Sequence, residues 1–380
     1  MGVEQRETAY AILRVDTLIK ADVRYEMNLK HGLAALFLLA GTLVPLAAQD
    51  DQVGISAEEI STFPILTLTS LTPREDLMYD RRYMKLTGGA EVFDAPNGTV
   101  VRTLDPGYVY VTALGGDDNG FTRINRSEWV RSEMLTSMSH LISPFTGIEL
   151  PAEPLPHPIG WALVDTYVSS VPGIVANEDT ADAVLVRKYD RLNLYSSTIV
   201  KDENGDDRVW YQIGANQWIH QYNVSKFEAL TELPSGVDTD LWFSIDLYEQ
   251  NITLYRGTTP VFVTLTGTGL PRWPTYEGVF HIYYRAEREH MSWGTVGDDY
   301  YLIEEVPWTM YFDDGRALHG AYWHNSLGFR RSHGCVNMSI TDANYMYEQV
   351  NAFLGEDVGY AVENGPAVYI YSSGTYNNHR

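Results

Sequence analysis

Residues 240–255 alternate apolar and polar side chains on either side of Glu249-Gln250-Asn251. A period of two around a turn buries one face only if the two halves pair as a β-hairpin. Further strand-length runs follow at 261–266, 279–284, 306–312, 358–362 and 367–371. Thr341-Asp342 ahead of 343–350 reads as a capped helix start. Residues 238–372 are therefore expected to form one mainly β domain with a short helix, a size that a single core can serve.

Two similar stretches precede it. Thr122-Arg-Ile-Asn-Arg-Ser-Glu-Trp-Val-Arg131 aligns with Tyr211-Gln-Ile-Gly-Ala-Asn-Gln-Trp-Ile-His220, an internal-repeat signal. Short strands broken by Gly, Asn and Asp suggest two small β-barrels, at 83–140 and 183–230. Both resemble bacterial SH3-like wall-associated modules, with Trp129 and Trp218 read as core aromatics. Prolines at 144, 151, 154, 156 and 158 read as a stiff linker within 141–182. Residues 49–82 form an N-terminal extension and 373–380 a tail.

The basic stretch 27–31, the apolar run 32–46 and the small residues 46–49 have the layout of a secretory signal peptide, Met27 to Ala48. Translation starting at Met27 is the simplest expectation, with 1–26 a mis-assigned start. The apolar run is short for a bilayer span of ~20 residues, so membrane contact is expected only through this segment. An extracytoplasmic protein, secreted or wall-associated, follows. With 50 acidic against 27 basic residues and a formal charge of −23, a nucleic-acid footprint is excluded, because phosphate binding calls for basic surface.

In that compartment the single cysteine, Cys335, stands out. It lies in Arg331-Ser332-His333-Gly334-Cys335-Val336-Asn337, with His319 and His324 upstream. The thiolate is the nucleophilic form and needs a neighbouring base to form near neutral pH, a task that suits histidine. Gly334 lets main-chain N–H groups approach a substrate carbonyl as an oxyanion hole requires. Ser332 can orient an imidazole or bind substrate. The bland alternative is a small buried hydrophobe among ordinary loop histidines. A metal set of His319, His324, His333 and Cys335 is the other alternative, but no paired Cys or ligand-like spacing supports it; no metal and no cofactor are expected.

Leu318-His319-Gly320, Tyr322-Trp323-His324-Asn325, Gly328 and Ser332-His333-Gly334-Cys335-Val336-Asn337, taken in order, resemble the signature of the L,D-transpeptidase catalytic domain, the YkuD family. The resemblance implies a YkuD-type β-sandwich-like domain at 238–372. It implies Cys335 as the nucleophile acylated by a peptidoglycan stem peptide, His319 as general base and His333 as a motif histidine shaping the loop. Gly334, Ser332, Gly320, Tyr322, His324 and Asn337 are the accompanying oxyanion or substrate candidates. Carbapenem-type β-lactams are implied as inhibitors. Pro274-Thr275-Tyr276-Glu277-Gly278 departs from the family's usual Thr-Pro pair, which bears on the substrate-side loop. Hydrolysis by an L,D-carboxypeptidase, another cysteine peptidase acting on wall peptides, and a non-catalytic wall-binding protein are the alternatives. Base before cysteine argues against an NlpC-like order, and the intact motif against decay.

Overall fold

The computed structural model describes residues 53–115, 117–355 and 360–374. The expected signal segment, the stretch before it and residues 375–380 of the tail lie outside the described residues. Among those described, no helix is long and apolar enough to cross a membrane.

Two seven-stranded sheets make the frame. The first runs, edge to edge, Thr69–Ser70, Ile148–Glu149, Thr259–Leu265, Asn251–Arg256, Leu241–Asp246, Ala367–Tyr371 and Gly278–His281. The expected hairpin is its centre, paired from Leu241↔Arg256 to Asp246↔Asn251 with Gln250 at φ +58° in the turn. The second runs Val336–Met338, Arg316–Gly320, Tyr301–Asp313, Tyr108–Ala113, Arg82–Leu86 and Leu135–Ser137, with Tyr284–Trp293 paired to Tyr301–Asp313. Phe243, Ile252, Leu254 and Phe262 of the first sheet share one core with Val306, Met310, Leu318 and Val336 of the second. Each such buried side chain contributes ~1.5–3 kcal/mol.

The helix spans Ile340–Leu354 and buries Ala343, Met346 and Val350 in the same core. Its cap is Ser339, whose Oγ accepts from the Asp342 N–H at 3.1 Å, so the Thr341-Asp342 expected as the cap lies in the first turn instead. Asp342 accepts from Thr264 Oγ1 (2.6 Å) and from the Gly147 N–H, and burial pushes its carboxyl up to about 6. The expected strand at 358–362 reduces, among described residues, to one bridge, Tyr284↔Ala361; Ala367–Tyr371 fills the sheet instead, parallel to Leu241–Asp246.

The internal repeat is visible in backbone register. Thr122 pairs with Val130 and Tyr211 with Ile219. A single 3-10 turn follows each pair, Ser132–Met134 and Gln221–Asn223. Val130 and Ile219 are both buried, as is Trp218. Trp129 is only half-buried, with Arg123 over its ring at 5.9 Å.

Two boundaries require correction. The stretch 141–182 is not a linker: Ile148–Glu149 joins the first large sheet, and the buried Ile159–Ala162 is the middle strand between Arg191–Asn193 and Val224–Phe227. The second unit therefore begins near 159 rather than 183. Pro158 directly precedes that strand, a place where a missing N–H costs no ladder bond, so proline density misled. The first unit is not a separate barrel either, because three of its strands belong to the second large sheet.

Candidate active site

The strand Arg316–Gly320 delivers His319, and the parallel strand Val336–Met338 begins directly after Cys335, with Leu318 opposite Val336 and His319 opposite Asn337. Both His319 and Cys335 line one pocket of about 570 Å³. His319 is buried, 2% exposed, and its Nδ1 lies 3.0 Å from the Gly320 carbonyl. A carbonyl can only accept, so Nδ1 carries the hydrogen and Nε2 keeps its lone pair. Burial lowers this imidazole to about 4, and burial raises the Cys335 thiol to about 11, opposed by the Ala317 amide and the Arg316 charge. At neutral pH both groups are uncharged.

Ser332 shapes the loop between them. Its hydroxyl donates to the Cys335 carbonyl and accepts from the Gly334 N–H at 3.0 Å. Ser332 thus braces the loop while also lining the pocket, and the Gly334 N–H is already engaged. Gly334 adopts φ +113°, and a Cβ there would stand 2.8 Å from Arg316 Nε, so both conformation and space require glycine. Its carbonyl accepts from Thr275 Oγ1 (2.8 Å), which in turn accepts from the Gly269 N–H (2.9 Å). The departure at Pro274-Thr275 thus still fixes the substrate-side loop, through one hydroxyl.

His333 stacks on Trp273 at 3.9 Å between ring centroids and faces Tyr301 at 5.0 Å. Burial lowers its pKa. His324 also lines the pocket; Ser326 N–H donates to its Nδ1 at 3.2 Å, so the neutral ring presents N–H at Nε2. The Asn337 side-chain amide lies 2.9 Å from that nitrogen. A ring N–H there needs the amide oxygen, which leaves the amide nitrogen as the free end of Asn337. Burial lowers His324 to about 3.

Two expected substrate residues point elsewhere. Gly320 lies against Pro307 and Ile340, where a Cβ would approach within 3.0 and 3.1 Å. Tyr322 is fully buried, stacked on Tyr83 at 3.8 Å and donating to the Glu304 carbonyl at 2.7 Å. Their apolar settings in the core outweighed their place in the motif. Conversely, sequence reasoning missed Arg316, Trp273, Tyr108 and Tyr110, and placed Thr275 in the substrate-side loop without a role. Arg316 donates to the Pro274 carbonyl (3.1 Å) and pairs with Asp313 (3.0 Å); its position three residues before His319 was the only available signal. Tyr108 and Tyr110 come from the first accessory unit and line the pocket, a placement that local sequence does not encode. Among the described residues no group of three or more His, Cys, Asp or Glu is arranged to hold a metal ion.

Residues 240–370, which hold His319 on one strand and Cys335 just before the parallel strand beside it, match the family model of the L,D-transpeptidase catalytic domain, YkuD. This chain carries a catalytic domain of that family. YciB of Bacillus subtilis (strain 168), an L,D-transpeptidase by provisional name, is 23% identical over 134 residues, 31% of this chain and 66% of that protein. The C442S mutant of an Enterococcus faecium L,D-transpeptidase is 24% identical over 35% of this chain and 50% of that one, at TM-score 0.29. The E. faecium catalytic domain acylated by ertapenem is 22% identical over 36% and 100% respectively, also at 0.29. The chain thus spans about two thirds of YciB and half of the E. faecium mutant chain.

Proposed function

We propose that this protein is an extracytoplasmic peptidoglycan L,D-transpeptidase working through a Cys335 thioester. The observation that carries the reading is the shared pocket of Cys335 and His319, with the His319 tautomer leaving Nε2 as a base. Because thiol and imidazole are both neutral at pH 7, the proton passes from sulfur to His319 as sulfur attacks, with no standing thiolate pair. The attacked carbonyl joins the third stem residue to a terminal D-residue. With the Gly334 N–H engaged by Ser332, the amides of His333 and Cys335 are left to hold the oxyanion. His319 returns the proton to the leaving D-amino acid, then deprotonates an incoming amine of a neighbouring stem, which displaces sulfur and forms the crosslink. Water as acceptor gives carboxypeptidase action.

The accessory unit at 159–227 is read as an SH3-like module, and export is assigned to the 27–48 segment. Intact-protein mass spectrometry after exposure to a stem tetrapeptide and, separately, a carbapenem tests the reading. One adduct on Cys335 is expected, none in Cys335→Ala, and a much slower adduct in His319→Ala. Full muropeptide activity in Cys335→Ala would refute the assignment. The acylation rate should hold down to acid pH and fall only as His319 protonates near pH 4; an acid limb near 6.5 would mean the base is not buried as described.

A further inference from the structure

Three strands bring six side chains into register beside the reactive cysteine. Trp293 pairs with Tyr301 and Tyr301 with Tyr108; two residues along, Met291 pairs with Ile303 and Ile303 with Tyr110. Cross-strand partners share a face, and all but Trp293 line the pocket of Cys335 and His319. Trp293 completes the row, its ring 6.1 Å from His333.

The two rows differ in exposure. Met291, Ile303 and Tyr110 are 7%, 8% and 5% exposed, whereas Trp293 and Tyr108 are 52% and 60% exposed. Strands ~4.8 Å apart spread the outer aromatic row over ~10 Å. Large aromatic side chains left open together at a pocket mouth mark a binding surface. Polar groups border it: Asp299 lines the pocket, and Arg272 pairs with Asp298 at 2.9 Å.

The row runs across three strands, from Tyr284–Trp293, which among the described strands pairs with Tyr301–Asp313 alone, to Tyr108–Ala113; an extended peptide would pair along that outer strand, whereas a ligand lying along the row meets the aromatic side chains. Flat, electron-rich ring faces with polar groups at the border match a sugar ring, which presents polarised C–H bonds on its face and hydroxyls around its rim. An uncharged ligand also meets no penalty from the acidic surface.

We propose that Trp293, Tyr301 and Tyr108 form a saccharide platform that holds the glycan of the polymer whose stem peptide enters the Cys335 pocket, one ring being supplied by the accessory unit. This rests on the transpeptidase reading and names a further part of its substrate. Calorimetry on the full chain carrying Cys335→Ala, with a disaccharide-tetrapeptide, the sugar-free tetrapeptide and the free disaccharide as probes, tests it. The disaccharide-tetrapeptide should bind about tenfold tighter than the sugar-free peptide. Trp293→Ala, outside the pocket lining, should remove most of that gain and leave tetrapeptide affinity unchanged; Tyr108→Ala should also remove most of the gain. Equal affinities for the two peptide probes, or a gain that survives both substitutions, would overturn the platform. Failure of the transpeptidase reading registers separately, as no acyl adduct on native Cys335 while the free disaccharide still binds.

Discussion

The two accessory units reach the catalytic domain by different physics. The unit at 82–137 joins through a main-chain ladder as well as packing: Tyr108–Ala113 runs parallel to Tyr301–Asp313, the Tyr108 N–H donates to the Tyr300 carbonyl at 3.1 Å, and Tyr83 and Tyr110 enter the shared core. The unit at 159–227 keeps its own small sheets and docks through side chains. Tyr189 Oη donates to Asn325 Oδ1 (2.8 Å) and accepts from the Leu327 N–H (3.2 Å), while Asn251 Nδ2 donates to the Lys226 carbonyl (2.9 Å). Trp161, Leu163 and Phe227 share a core with Val263, Leu265 and Leu327. Each seam thus supports one wall of the same pocket, the first through Tyr301 and Ile303, the second through the loop of His324 and Asn325. A ladder fixes spacing to fractions of an ångström and tolerates any outward side chain; side-chain docking depends on particular hydroxyls and apolar contacts.

Each seam also has a glycine under pressure, so the contrast can be broken deliberately. A Cβ on Gly107 would stand 2.5 Å from the Tyr300 carbonyl oxygen, and backbone cannot move aside. Gly107→Val should cost about 3 kcal/mol and slow stem-peptide acylation strongly, read by denaturant melting and adduct formation. An unchanged midpoint would mean that the ladder is not what holds this wall. At the other seam Gly328 sits at φ +89°, and a Cβ would meet Leu163 Cδ2 at 2.2 Å. Leucine can yield where a carbonyl cannot, so Gly328→Ala should cost about 2 kcal/mol, chiefly backbone strain. A loss exceeding that of Gly107→Val would reverse the ranking.

Smaller effects sharpen the same contrast. Tyr189 is a bulky residue at φ +73°, a costly conformation that accompanies the hydroxyl's contacts to the 325–327 loop. Tyr189→Phe keeps the ring and removes the hydroxyl's contacts to Asn325 and Leu327, for about 1 kcal/mol; retained stability and rate would show that this hydroxyl does not hold the seam. The first seam, by contrast, should sense pH. Glu304 accepts from the Thr112 N–H at 3.3 Å across it, and burial raises the carboxyl from 4.5 to about 7. The folded state therefore favours the protonated form: that stability is complete below 4.5 and is lost as pH rises through 7. Melting should drop between pH 5 and 8, with Asp342, also raised by burial to about 6, adding to the fall, and Glu304→Gln should reduce the slope; a slope unchanged in the variant would place the titration elsewhere.

Sequence alone determined what depends on neighbours in the chain. The hairpin at 241–256 follows from its period of two, and the 331–337 loop from its small residues. That a lone cysteine among histidines calls for an imidazole partner was likewise legible, because these residue types carry their chemistry wherever they stand, whereas the choice of His319 came with the family resemblance. The repeat at 122–131 and 211–220 survived as matching register. Tertiary structure decided what depends on distant packing: that Tyr322 and Gly320 turn into the core, that 141–182 supplies strands, and that Tyr108 crosses from an accessory unit to the pocket. A strand's period fixes which side chains share a face, but the partner that this face meets is chosen by burial summed over the whole chain.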